Sequence, residues 1–117
     1  MSMIRNTLLS IGLSVAATSA FAETVYTFAY SNNESYSARY VSASVKPLES
    51  TQWEIDGPEL RTRWKEALRA NGYNVIDSFL SKKGSSGKYY SSYDEAETDR
   101  RAMINGERNK EVKVVNW

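Results

Sequence analysis

Six carboxylates lie close enough along the chain to work in pairs: Glu54 with Asp56, and the group Asp94, Glu95, Glu97 and Asp99. Two acids, one held neutral and the other charged, are what hydrolysis of a glycosidic bond requires. The settings of these six favour a plainer use. Acids in the first turn of a helix answer the positive end of its dipole, and Glu97 has Arg101 four residues on, the spacing of a helical ion pair. Asp56 stands just before Gly57-Pro58-Glu59, where a helix cap belongs. The remaining repertoire is narrow, because the 117 residues include no histidine and no cysteine. Imidazole bases, thiol nucleophiles and the usual triads are therefore excluded, and a zinc site has no ligands of the preferred kind. The acidic cluster also lacks the spacing and central glycine of a calcium loop. No catalytic residue, cofactor or metal is assigned, and the chain is not expected to be an enzyme.

Aromatic residues offer a different chemistry. Eight tyrosines and three tryptophans are present, many in segments that alternate like strands. An exposed tyrosine has an apolar body and a polar tip, suited to recognising protein or sugar. Adjacent Tyr89 and Tyr90 must point to opposite faces of a regular strand, so one of them is a surface candidate. Lys82 and Lys83 lie on the loop Ser81-Lys82-Lys83-Gly84-Ser85-Ser86-Gly87, suited to meeting an acidic partner. The expected partner-binding surface is Tyr36, Tyr40, Lys82, Lys83, Tyr89 and Tyr90. Nucleic acid is not expected as a partner, since no basic tract is interleaved with aromatics. Arg100 and Arg101 are read as facing water on a helix.

These side chains need a body to hold them, and its start is set by the first 22 residues. Met1–Asn6 carries Arg5, Leu8 to Val15 is a short apolar stretch, and Ala20-Phe21-Ala22 is a small-x-small site, the three parts of a secretory signal peptide. The interrupted stretch falls short of the roughly 20 apolar residues that span a bilayer. Cleavage after Ala22 makes Glu23 the first mature residue and leaves residues 23–117 as one domain, periplasmic or secreted, with no integral membrane association. Losing Arg5 balances the 15 basic side chains against the 14 acidic ones.

Along that domain Thr24–Tyr30 alternates as a strand, Ser31–Glu34 reads as a turn, and Tyr36–Val45 alternates again, predicting a hairpin. Pro47 stops ladder bonding, and Gln52–Ile55 adds a short strand. A helix follows from the Asp56 cap through Leu60, Trp64 and Leu68 to the stop at Asn71-Gly72. Tyr73–Leu80 and Lys88–Ser91 form a second hairpin. A capping box of Ser92 and Glu95 opens the second helix, and Val112–Trp117 is the last strand, pinned by its terminal tryptophan. The expected fold is α+β: an antiparallel or mixed sheet of four to five strands with both helices on one face, for which a ferredoxin-like arrangement is one form.

The stretches "ALRANGYNVIDSF" and "GKYYSSYDEAETDRR" resemble the SPOR domains of bacterial envelopes, in which a helix ends in glycine before a strand and an aromatic strand precedes a Ser-x-x-Glu-Ala helix start. The resemblance covers roughly half of the chain and implies binding to stripped glycan strands of peptidoglycan. The opening half departs from it, with about 25 residues between Tyr30 and Asp56 where SPOR domains have a few, so no site residues carry over. Two functions are expected: a small exported non-catalytic protein that engages another protein, such as an inhibitor, immunity-type factor or envelope accessory subunit, or alternatively a peptidoglycan-binding module.

Overall fold

The architecture comes from a computed structural model that describes residues 23–117. The expected leader, with Ala20 and Ala22 at its cleavage site, lies outside them.

The alternating stretch after Glu23 does not form one strand. It breaks at Phe28 into β1 (Thr24–Thr27) and β2 (Ala29–Asn32), and the two halves enter different sheets. β1 pairs antiparallel with β4 (Lys46–Glu49) in a two-stranded ladder. β2 pairs antiparallel with β3 (Ala38–Ser42), with Tyr30 opposite Val41, which is the predicted hairpin. The break itself is tied down: Ser81 donates its backbone N–H to the carbonyl of Phe28 at 2.8 Å, and Thr27 Oγ1 donates to the carbonyl of Ser81 at 2.8 Å. Past the break, Ser42 Oγ accepts the Ala29 N–H at 2.9 Å, so a side chain satisfies a buried donor there. Pro47 does not end the ladder as expected. It sits within β4 opposite Tyr26, on an edge strand, where proline is tolerated.

A 3₁₀ turn at Ser50–Gln52 leads directly into α1 (Trp53–Ala70), so the short strand expected over Gln52–Ile55 is helical instead. Asp56 caps nothing in α1; its carboxylate accepts the N–H of Glu49 at 3.3 Å and fastens β4 to the helix. Gly57, Leu60, Trp64 and Leu68 form the buried stripe of α1. The helix stops where predicted, with Gly72 at φ 74°, a left-handed conformation that suits glycine.

Of the strand expected over Tyr73–Leu80, just β5 (Phe79–Leu80) forms, beside β2. Residues 73–78 are drawn off by Asp77, whose carboxylate takes the Asn32 N–H at 2.7 Å and its side-chain amide at 3.0 Å. The expected return strand Lys88–Ser91 is reduced to a bridge between Tyr90 and Tyr26. Ser92 then caps α2 (Tyr93–Gly106) as predicted, accepting the Glu95 N–H at 3.1 Å. The Glu95 carboxylate departs from the capping box and turns to Ser91 and Lys83. Finally β6 (Glu111–Val115) lies parallel to β3 and completes a sheet in the order β5-β2-β3-β6.

The helices sit on opposite faces of this sheet, contrary to the expectation that they share one. Alternation along the strands explains why. Ala29, Ala38, Tyr40 and Val115 share a core with Leu60, Trp64 and Leu68 of α1, whereas Phe28 and Val41 pack with Ala96 of α2 and with Tyr90. The ferredoxin-like arrangement is also absent: the strand before α1 belongs to the separate two-stranded ladder. Trp64 is fully buried and donates Nε1–H to Ser31 Oγ at 2.9 Å. The C-terminal tryptophan is pinned, with its ring edge-on to Trp64 and Nε1 donating to the Ser44 carbonyl at 2.9 Å.

Candidate binding groove

The apolar stripe of α1 runs one turn further than the core does. Trp53 lies seven residues before Leu60, two helical turns, and so faces the same way. There it is 54% exposed. Across from it stands Tyr89, half-buried at the foot of the loop after β5. Between them is a groove of about 410 Å³, floored by Val25 and rimmed by Lys82, Lys88 and Glu23.

Local structure sets each wall. The loop is closed at its base by Lys83 N–H donating to the Lys88 carbonyl at 2.9 Å, and Gly84 and Gly87 take the left-handed φ of 51° and 74° that this closure needs. Reciprocal backbone bonds between Tyr26 and Tyr90, 2.9 and 3.0 Å, fix the register beyond it. Tyr90 therefore points into the α2-side core, and Tyr89, its neighbour, points to the α1 side. Tyr89 Oη would lie 3.5 Å from a Cβ on Gly57, close over the opening turns of α1. Burial pushes its hydroxyl pKa up, and the nearby Arg61 guanidinium partly offsets this. The Lys82 ammonium stands 5.2 Å from the centre of the Tyr89 ring, within cation–π range.

Of the six residues expected to form a partner-binding surface, Lys82 and Tyr89 meet in this groove. Lys83 is exposed but engaged by Glu95. Tyr36 is 53% exposed but lies elsewhere, in the β2–β3 turn, at φ 58° with the Lys110 ammonium 5.2 Å from its ring centre. Tyr40 and Tyr90 are core residues, 6% and 2% exposed, and present no surface. Tyr40 stacks on Tyr73 with ring centres 4.6 Å apart. Tyr90 donates its hydroxyl hydrogen to Asp99 Oδ2 at 2.9 Å and accepts from Ser81 Oγ at 3.0 Å. Burial, chiefly, pushes its pKa up to about 12. Lys88, which continues the basic loop in the sequence, also lines the groove, and Trp53 completes it as the residue that the sequence reading misses. The seven-residue offset from Leu60 was the signal for Trp53, masked by reading Gln52–Ile55 as a strand.

Four of the six paired carboxylates, Asp56, Glu95, Glu97 and Asp99, are held in structural contacts. Glu97 binds Arg100 through two bonds of 2.8 Å and Arg101 at 2.7 Å. Those bonds, the Arg100 pair first, hold its pKa down at about 2. Arg100 does not face water as expected: its side chain is 11% exposed and donates to the Ser42 carbonyl of β3 at 3.1 Å. Asp99 accepts from Tyr90, and Asp56 from the Glu49 backbone. Among the described residues, no group of three metal-ligating side chains could hold a metal ion, and no helix is long and apolar enough to cross a membrane.

No family model, curated protein or solved structure matches this chain. Its likeness to SPOR domains stops at the sequence segments, since residues 73–78 are not a strand and Tyr90 contributes a single bridge.

Proposed function

We propose that this chain is a small non-catalytic binding protein of the bacterial envelope, exported by its leader, and that its groove holds an extended acidic segment of a partner protein. The observation that carries this reading is Trp53, a large apolar ring left half in water beside two lysines, Lys82 and Lys88, that pair with no carboxylate of the described residues. Exposed aromatic rings that become buried on binding supply much of the energy in protein recognition, and charges beside them set the partner. Carboxylates on the partner would find both lysines without displacing an existing ion pair.

Photocross-linking from position 50, in the lining of the groove beside Trp53, in living cells tests the proposal. One protein should be captured, and capture should fail with Lys82→Glu and Lys88→Glu together. An unchanged cross-link in that variant would sink the reading. The same two rings also suit stacking on sugar, which supports peptidoglycan as a second reading. Co-sedimentation with purified sacculi, lost on Trp53→Ala, would favour that alternative.

A further inference from the structure

The four-stranded sheet ends in an edge that is neither short nor fully guarded. In β6, Glu111 donates its N–H to the Ser37 carbonyl at 2.9 Å, and Val115 accepts the Ala43 N–H at 2.8 Å. With the parallel register Ala38↔Glu111 through Ser42↔Val115, residues 111, 113 and 115 bond to β3. The N–H and C=O groups of Val112 and Val114 then point away from the sheet. No other described backbone group takes them up. Val114 is 52% exposed beside them. Such an edge is a template for another strand.

We propose that a second copy of this chain fills it, the two β6 strands pairing antiparallel about a two-fold axis at Val112 to give one continuous eight-stranded sheet. The charges select this partner and this register. Glu111 and Lys113 project from the same face, their charged atoms 3.3 Å apart. Centring the pair on Val112 sets each Glu111 directly opposite the other copy's Lys113, so one strand supplies both halves of a self-complementary pattern, as a two-fold interface requires. Moving the centre to Lys113 would oppose two lysines, which is unfavourable. In the chosen register Val114 gains cover from the partner strand, and the outward groups of Val112 are exchanged between copies.

Sedimentation velocity of the purified protein over a wide range of concentration tests the proposal. A concentration-dependent dimer is expected. Val114→Pro removes an outward donor without touching the bonds to β3, and should weaken dimerisation at least tenfold with an unchanged circular dichroism spectrum. Glu111→Lys and Lys113→Glu, each alone, should weaken it as well, and the two together should restore it. The charge exchange keeps the test decisive if the proline variant does not fold. A protein that stays monomeric at the highest concentration overturns the inference, as does a dimer indifferent to these substitutions.

Discussion

The two faces of the four-stranded sheet are held in different ways. On the α1 face, Leu60, Trp64 and Leu68 meet Ala29, Tyr40 and Val115 in an apolar core whose buried indole has a single tie, to Ser31. On the α2 face the helix contributes Ala96 as its one fully buried residue, and the seam is made with polar groups: Tyr90 to Ser81 and Asp99, Arg100 to Glu97 and the Ser42 carbonyl. A face closed by apolar burial is indifferent to pH, whereas one closed by charges depends on their ionisation. One sheet thus carries an apolar side and a side whose apolar cluster is tied down by titratable groups.

The largest expected effect lies on the apolar side. Trp64→Ala should cost about 3–5 kcal/mol, enough to unfold much of a domain of this size, and chemical denaturation measures it. On the polar side, Glu97→Gln should cost about 1–3 kcal/mol, because it leaves the mostly buried Arg100 guanidinium short of its charged partner. The same residue gives a pH signature. Its folded pKa lies below the unfolded value of 4.5, at about 2. Its contribution is therefore complete above pH 4.5 and disappears as pH falls toward 2. Thermal melts should show a steep acid limb in the native protein and a shallower one in Glu97→Gln; equal limbs would place the acid sensitivity elsewhere.

Tyr90→Phe should cost about 1 kcal/mol in equilibrium unfolding by removing the hydroxyl shared with Ser81 and Asp99. Here the folded pKa is raised from 10.0 to about 12, so the native protein loses this contribution as pH climbs across that interval, and the phenylalanine variant does not. The smallest effect is expected at Gly57, inside α1 with no positive φ, where a methyl group would meet Tyr89 Oη at an ordinary 3.5 Å. The gain of about 0.4–1 kcal/mol usual for Gly→Ala is opposed by the crowding of a helical Cβ against the next residue, Pro58, so Gly57→Ala should leave Tm nearly unchanged. A large loss would mean that Tyr89 is held more tightly against the helix than this spacing implies.

Features set by local chemistry were legible in the sequence. The Asn71-Gly72 stop, the Ser92 cap, the β2–β3 hairpin and the pinned Trp117 all depend on residues near one another or on one large side chain needing cover. The break at Phe28 was not legible, because Thr24–Tyr30 alternates without interruption and its division between two sheets is decided by Ser81, far along the chain. Residues 73–78 look like a strand until Asp77 is seen to bind Asn32. Asp56 has the right type and place for a cap but was claimed by β4. In the groove, Lys82 and Tyr89 were found by composition and by strand alternation. Tyr40 and Tyr90 were not separable from exposed tyrosines, since which face of a strand is covered depends on a helix elsewhere in the sequence.

The parallel pairing of β3 with β6 carries a kinetic consequence. The β2–β3 hairpin forms from neighbouring residues, whereas bringing β6 beside β3 closes a loop longer than half the chain, which is slow compared with making local contacts. Until that loop closes, the sheet lacks its fourth member. A partly folded chain therefore presents the outer edge of β3 before β6 covers it.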